Sequence, residues 1–230
     1  MHITISFKRI LIVSIILHLI AAIFSSGFHQ FDEHFQIYEF LNYKLGNSPS
    51  SDLPWEFPAM MRSWFQVYIY FILLKVSSFI GITSPFAYAF IFRVFTTLLG
   101  VYSLYLLIPF IKCQIKEKKF QLLTFSLLNF TWFIPYIQTR TSAESLASSF
   151  FIIGFALFTK HSSKNITRNS ILSGLMLAAA YLCKYQVALM VMFLWFWGLF
   201  LKKKSYKELT LSALSISFII IIGVFIDYLG

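Results

Sequence analysis

The chain has 230 residues and a formal net charge of +10, yet only 12% of its residues are charged while 58% are hydrophobic and 20% aromatic; mean hydropathy is +0.75. That is too little charge to coat a soluble core of this size, which excludes an ordinary soluble domain. A nucleic-acid surface is excluded as well, because the basic residues sit in short clusters between apolar stretches rather than along one wet face.

The apolar stretches approach the roughly 20 residues needed to cross a hydrocarbon core of about 30 Å, and they recur along the whole chain. An all-α, multi-pass integral membrane protein is expected. Lys8-Arg9 precedes Ile10 to Phe24, and no small-residue cleavage site leads into a soluble domain, so this is read as an uncleaved first span with His18 in its core. Residues 27–63 then form an acidic and aromatic loop holding five of the nine carboxylates: Asp32, Glu33, Glu39, Asp52 and Glu56. A helix over Phe31 to Leu45 would place Phe31, Phe35, Tyr38, Leu41 and Leu45 on one stripe and Asp32, Gln36, Glu39 and Tyr43 on another, an amphipathic helix lying on the membrane.

Four basic clusters, Lys8-Arg9, Lys112 to Lys119, Lys160 to Arg168 and Lys202 to Lys207, hold 13 of the 19 basic residues. If they mark the cytoplasmic side, the chain crosses an even number of times between them. Ile10–Phe24, Trp64–Ile82 and Phe86–Ile111 would make three crossings in the first interval, so the 64–82 segment, which contains Lys75, is expected to lie along or dip into the outer interface. Next come Phe120–Ile137, an outer turn from Gln138 to Glu144, and a return through Leu146–Phe158. Ile171–Cys183 and Val187–Leu201 read as two arms of ~20 Å meeting at Lys184, and Leu209–Ile226 delivers Asp227 outward. The whole chain is one transmembrane domain, with seven of nine acids on the outer side.

Charges near bilayer depth are costly and are usually held by partners or a water-filled cavity, so their convergence suggests an extracytoplasmic active site. Asp32 and Glu33 are the catalytic candidates, since a carboxylate beside the end of the first span suits a general base that deprotonates an attacking hydroxyl. Candidate substrate-binding positions are His29, Gln36, Trp55, Glu56, Arg62, Arg140, Glu144, Lys184 and Gln186. Arg140 suits a bidentate phosphate contact and equally an i, i+4 ion pair with Glu144; Lys184 suits an anion or snorkelling to the interface. His29 and His34 lack companions at ligand spacing and Cys113 and Cys183 stand alone, so neither metal nor disulfide is expected. No Walker or dinucleotide glycine motif is present, and no cofactor is expected. The donor would be activated another way, as a sugar on a lipid phosphate is.

The segments FHQFDEHFQIYEF (28–40), LPWEFPAMMRSW (53–64), QTRTSAESLA (138–147), LCKYQVAL (182–189) and GVFIDYLG (223–230) together resemble the α-mannosyltransferase family that includes the dolichyl-phosphate-mannose-dependent enzymes of N-glycan and GPI-anchor assembly, members of the GT-C membrane glycosyltransferases. The resemblance implies a GT-C-like helical bundle in a bacterial inner membrane or the endoplasmic reticulum membrane, with an extracytoplasmic site. It implies a polyprenyl- or dolichyl-phosphate sugar as donor, a glycan or glycolipid as acceptor, mannose as the hexose, and inversion by direct displacement. It assigns the base to Asp32, with Glu33 beside it, and aligns the chain with the N-terminal portion of such enzymes. Two other readings stay open: a transporter or scaffold with Lys184 at a broken helix, and an inactive truncated enzyme.

Overall fold

Ser6 opens the first helix by accepting the Arg9 backbone N–H on its hydroxyl at 3.4 Å, and α1 (Phe7–Phe24) then runs unbroken for 18 residues. The computed structural model describes residues 6–160, 165–202 and 204–229; Lys164, Lys203 and Gly230 of the segments named above lie outside them. The 25–63 loop contains α2 (Phe31–Glu33), a π-helical turn (His34–Tyr38) and α3 (Glu39–Lys44). After it come α4 (Phe65–Phe79), α5 (Pro85–Leu106), α6 (Ile108–Gln114), α7 (Lys118–Phe130), α8 (Ile134–Ile137), α9 (Ala143–Thr159), α10 (Ile166–Cys183), α11 (Val187–Phe196), which continues into a π-helical turn (Trp197–Leu201), and α12 (Tyr206–Leu229). Among the described residues, four helical stretches are long and apolar enough to cross a membrane: Phe7–Phe24, Pro85–Gln114, Ile166–Cys183 and Tyr206–Tyr228. The protein is an all-α, multi-pass integral membrane protein.

Three expectations from the sequence are corrected. The stretch Phe120–Ile137 is not one helix, because α7 ends at Phe130 and a new turn begins only at Ile134. Pro135 has no N–H to give to Thr131 O, four residues back, and its ring crowds that carbonyl, which explains the break at Thr131. The arm before Lys184 begins at Ile166 rather than Ile171, giving an 18-residue helix of about 27 Å instead of a short one. The Phe31 to Leu45 stripe is split: the π turn adds a residue to one helical turn, so the face turned to the protein is Glu33, Ile37, Phe40 and Leu41 while Phe31 is 82% exposed.

Side-chain links sort the chain into two ends. Arg140 and Arg93 both reach Ser25 just beyond α1, Glu144 at the start of α9 pairs with Lys184 at the end of α10, and Asp227 near the end of α12 accepts from Trp64 N before α4. These groups share one end with the 25–63 loop. The last turns of α4 lie there too, because Leu74, Lys75 and Ser78 line one cavity with Phe28, His34 and Tyr38 of the loop. The opposite end gathers Lys160, Lys202 and Lys204 with the tail of α6.

Between the ends, helices touch through small residues, as expected where lipid supplies no hydrophobic drive and close backbone approach supplies the packing. Ser173 on α10 donates to Gly154 O on α9 at 2.8 Å. A Cβ on Gly174 would lie 2.4 Å from Ser212 O and 2.7 Å from Ser215 Cβ on α12. Gly174→Val is therefore expected to force α10 and α12 apart and cost about 1–3 kcal/mol, measured as a lowered thermal midpoint in detergent; an unchanged midpoint would show that the contact is not tight.

Candidate active site at the carboxylate end

The peptide turn after α1 is held by two arginines from distant helices. Arg140, which precedes α9 and is 2% exposed, donates from Nη1 to Ser25 Oγ and from Nη2 to Gly27 O at 3.1 Å. The same Nη2 lies 3.3 Å from Glu33 Oε2, and Glu33 is also 2% exposed. Glu33 Oε2 accepts the His29 backbone N–H at 3.0 Å, while Tyr136 stands under the Arg140 guanidinium at 5.1 Å and its hydroxyl meets His29 Nδ1 at 3.3 Å. A buried ion pair thus pins α2 against the α8–α9 turn. The pair is incompletely satisfied, since among the described residues Glu33 Oε1 and Arg140 Nε have no hydrogen-bond partner.

Arg140 therefore does not pair with Glu144, as the i, i+4 spacing suggested. Glu144 instead takes the Lys184 ammonium, because the first turn of α9 faces the end of α10. Burial works to raise the Glu144 carboxyl, but hydrogen bonding to Lys184 and to groups at the start of α9, with the ammonium charge, overrides it and holds the carboxyl below its ordinary value. This pair is fully formed above the ordinary carboxylate pKa and weakens only as pH falls through the lowered one. Lys184 is an ion-pair partner here rather than a free cation.

Asp32 contrasts with its neighbour. It is half-buried, and among the described residues it has no hydrogen-bond or ion-pair partner. Consecutive helical side chains diverge by about 100°, so the pairing of Glu33 inward leaves Asp32 directed elsewhere. Gln36, Glu56 and Arg62 form a separate group: Arg62 Nη2 lies 3.1 Å from Glu56 Oε1, which also accepts from Gln36 Nε2 at 3.3 Å. Glu56 and Arg62 line a cleft of about 130 Å³ with Tyr185 and Gln186, whereas Trp55 is 67% exposed beside it in sequence. Two residues of the loop thus meet the α10–α11 turn, which places Gln186 with them.

Arg93 is absent from the sequence-based candidates, although its signal is plain. It stands alone within the apolar run of α5, and an ionisable residue at such depth is by default a functional candidate. Its Nε donates to Ala89 O at 3.2 Å, its Nη1 donates to Ser25 O, and it has no carboxylate partner among the described residues. Arg93, Arg140 and Glu33 border a cavity of about 350 Å³ whose remaining wall is largely apolar, with Phe28, Pro85 and Phe86. Tyr38 also lines it, and burial pushes its phenol above the ordinary value, so the hydroxyl stays neutral. Asp227, expected only to lie on this side, caps the start of α4, where its carboxylate accepts Trp64 N at 2.7 Å and Ser63 Oγ at 2.9 Å.

Carboxylates, guanidiniums and a largely apolar cavity thus gather at one end of the helices. Residues 9–229 match the Alg9-like mannosyltransferase family. The chain belongs to this family, and glycosyl transfer is the class of activity it shares. No curated protein and no solved structure matches it significantly.

Proposed function

We propose that the protein transfers a hexose, mannose, from a polyprenyl- or dolichyl-phosphate carrier to a hydroxyl of a glycan or glycolipid on the extracytoplasmic face, within a GT-C-like bundle. The observation that carries this reading is the division of labour at residues 32 and 33: Glu33 is committed to Arg140, and Asp32 is unpaired among the described residues. Asp32 is the general base. It takes the proton of the acceptor hydroxyl as that oxygen bonds to the sugar C1, and the C1–O bond to phosphate breaks on the opposite face with inversion. The departing phosphate carries the negative charge into the cavity, where Arg93, with no carboxylate on it, and Arg140 receive it. Phe28, Pro85 and Phe86 suit the first isoprene units.

Glu56, Arg62, Gln36 and Gln186 are then the acceptor side, with Trp55, Glu144 and Lys184 around it, while His29 stands on the Glu33 side with Tyr136. The 27–63 loop forms the site. The 64–82 segment lies along the outer interface, a reading supported by the position of both ends of α4 at the carboxylate end. The basic clusters at the other end set the orientation.

The deciding experiment is transfer of labelled mannose in membranes containing the full-length protein, offered either polyprenyl-phosphate mannose or a nucleotide-linked mannose with the endogenous lipid carrier removed. Product is expected only from the lipid-linked donor. Product from the nucleotide donor alone would overturn the reading.

A further inference from the structure

The lysine end holds a second cavity, of about 280 Å³, between α6, α9 and the π-helical end of α11. Its rim carries Lys160, Lys202 and Lys204, and among the described residues no carboxylate lines it. Behind the rim the cavity is aromatic: Phe110 meets Phe155 edge-on with centroids 4.9 Å apart, and Trp197 stacks with Phe155 at 6.4 Å.

The π turn builds this arrangement. Lys202 N donates to Trp197 O at 3.1 Å, a bond spanning five residues, which places the Lys202 side chain over the Trp197 ring with Nζ 5.3 Å from its centroid. In an unbroken α-helix the two residues would diverge. The neighbouring Gly198 admits the close approach of α9, since a Cβ there would lie 2.6 Å from the Phe158 ring. Lys204 is occupied by Glu208 at 2.7 Å. Lys160, exposed at the end of α9, and Lys202 have no carboxylate partner among the described residues.

We propose that this cavity binds the headgroup of an anionic phospholipid, its phosphate between Lys160 and Lys202 and its glycerol stem against Trp197 and Phe110. A cation over the Trp197 ring, with a second lysine lining the same cavity, matches a charged group joined to an apolar stem. A free phosphate would have no use for the floor, and a basic pocket between helices at the end where spans leave the bilayer is where headgroups are available. The site is separate from the one at the carboxylate end and does not depend on the reaction assigned there.

The experiment is native mass spectrometry of the purified full-length protein in neutral detergent, titrated with phosphatidylglycerol, phosphatidylcholine or inorganic phosphate. One phosphatidylglycerol is expected to bind in preference to phosphatidylcholine and to survive millimolar phosphate. Lys160→Gln with Lys202→Gln is expected to weaken it about 10- to 30-fold, the loss of roughly one phosphate contact per lysine. Lys118→Gln with Lys119→Gln removes the same charge at the start of α7, outside the cavity, and is expected to leave affinity unchanged. Equal weakening by both pairs would show a diffuse surface effect and overturn the proposal, as would equal binding of phosphatidylcholine or full displacement by phosphate.

Discussion

Asp32→Asn is expected to lower the rate of sugar transfer by about 10²–10⁴-fold, the usual range for losing a positioned general base, while leaving expression and thermal stability close to the parent. The reason for unchanged stability is that Asp32 holds nothing in place, having no side-chain partner among the described residues. Asn keeps the volume and loses the proton-accepting charge, so the loss is expected in kcat more than in KM. Donor affinity, measured separately with a non-transferable polyprenyl-phosphate analogue, is expected to stay the same. Wild-type transfer by Asp32→Asn would remove Asp32 from the mechanism and leave Glu56, across the loop, as the next carboxylate to replace.

Arg140→Met is expected to do the opposite, damaging the fold before the chemistry. It leaves Glu33 buried at 2% exposure with its ionic partner gone, and breaking such a pair from one side typically costs about 3–5 kcal/mol. Ser25 Oγ and Gly27 O lose their donor in the same step. Adding Glu33→Gln removes the stranded charge and is expected to restore most of the thermal midpoint, because a matched neutral pair of similar volume is often tolerated. Activity is not expected to return, since the phosphate loses a guanidinium. Additive losses in the double variant would show that the two residues are not coupled.

The pattern of Lys and Arg clusters is enough to separate a basic end from an acidic one, because that pattern is written in short range and is independent of packing. The pairing of charges is not legible in the same way. Arg140 and Glu144 are one helical turn apart, and local arithmetic joins them, yet each goes to a residue from another segment, Glu33 and Lys184. Only the stacking of α9 on α10 and of α2 on the α8–α9 turn decides this. The lining-up of Phe31 with Leu41 fails for a different reason: a π turn costs one residue of register and has no composition of its own, so counting in steps of 3.6 passes through it unaware. Arg93 is legible as a lone guanidinium in an apolar run, but a search weighted toward loops, where binding residues usually concentrate, passes it by.

The cap that Asp227 places on α4 also sets an order in time. Its carboxylate is 163 positions beyond the Trp64 amide it accepts. At a synthesis rate of about 5–20 residues per second, a ribosome releases α4 roughly 8–30 s before the residue that caps it. During that interval Ser63 Oγ can already take the Phe65 N–H, but the Trp64 N–H lacks the carboxylate that accepts it in the finished fold. Anchoring of the start of α4 therefore falls to the arrival of α12, and agents that stall elongation between Gln186 and Asp227 should leave a chain that holds every residue of the acceptor-side cleft but lacks this cap.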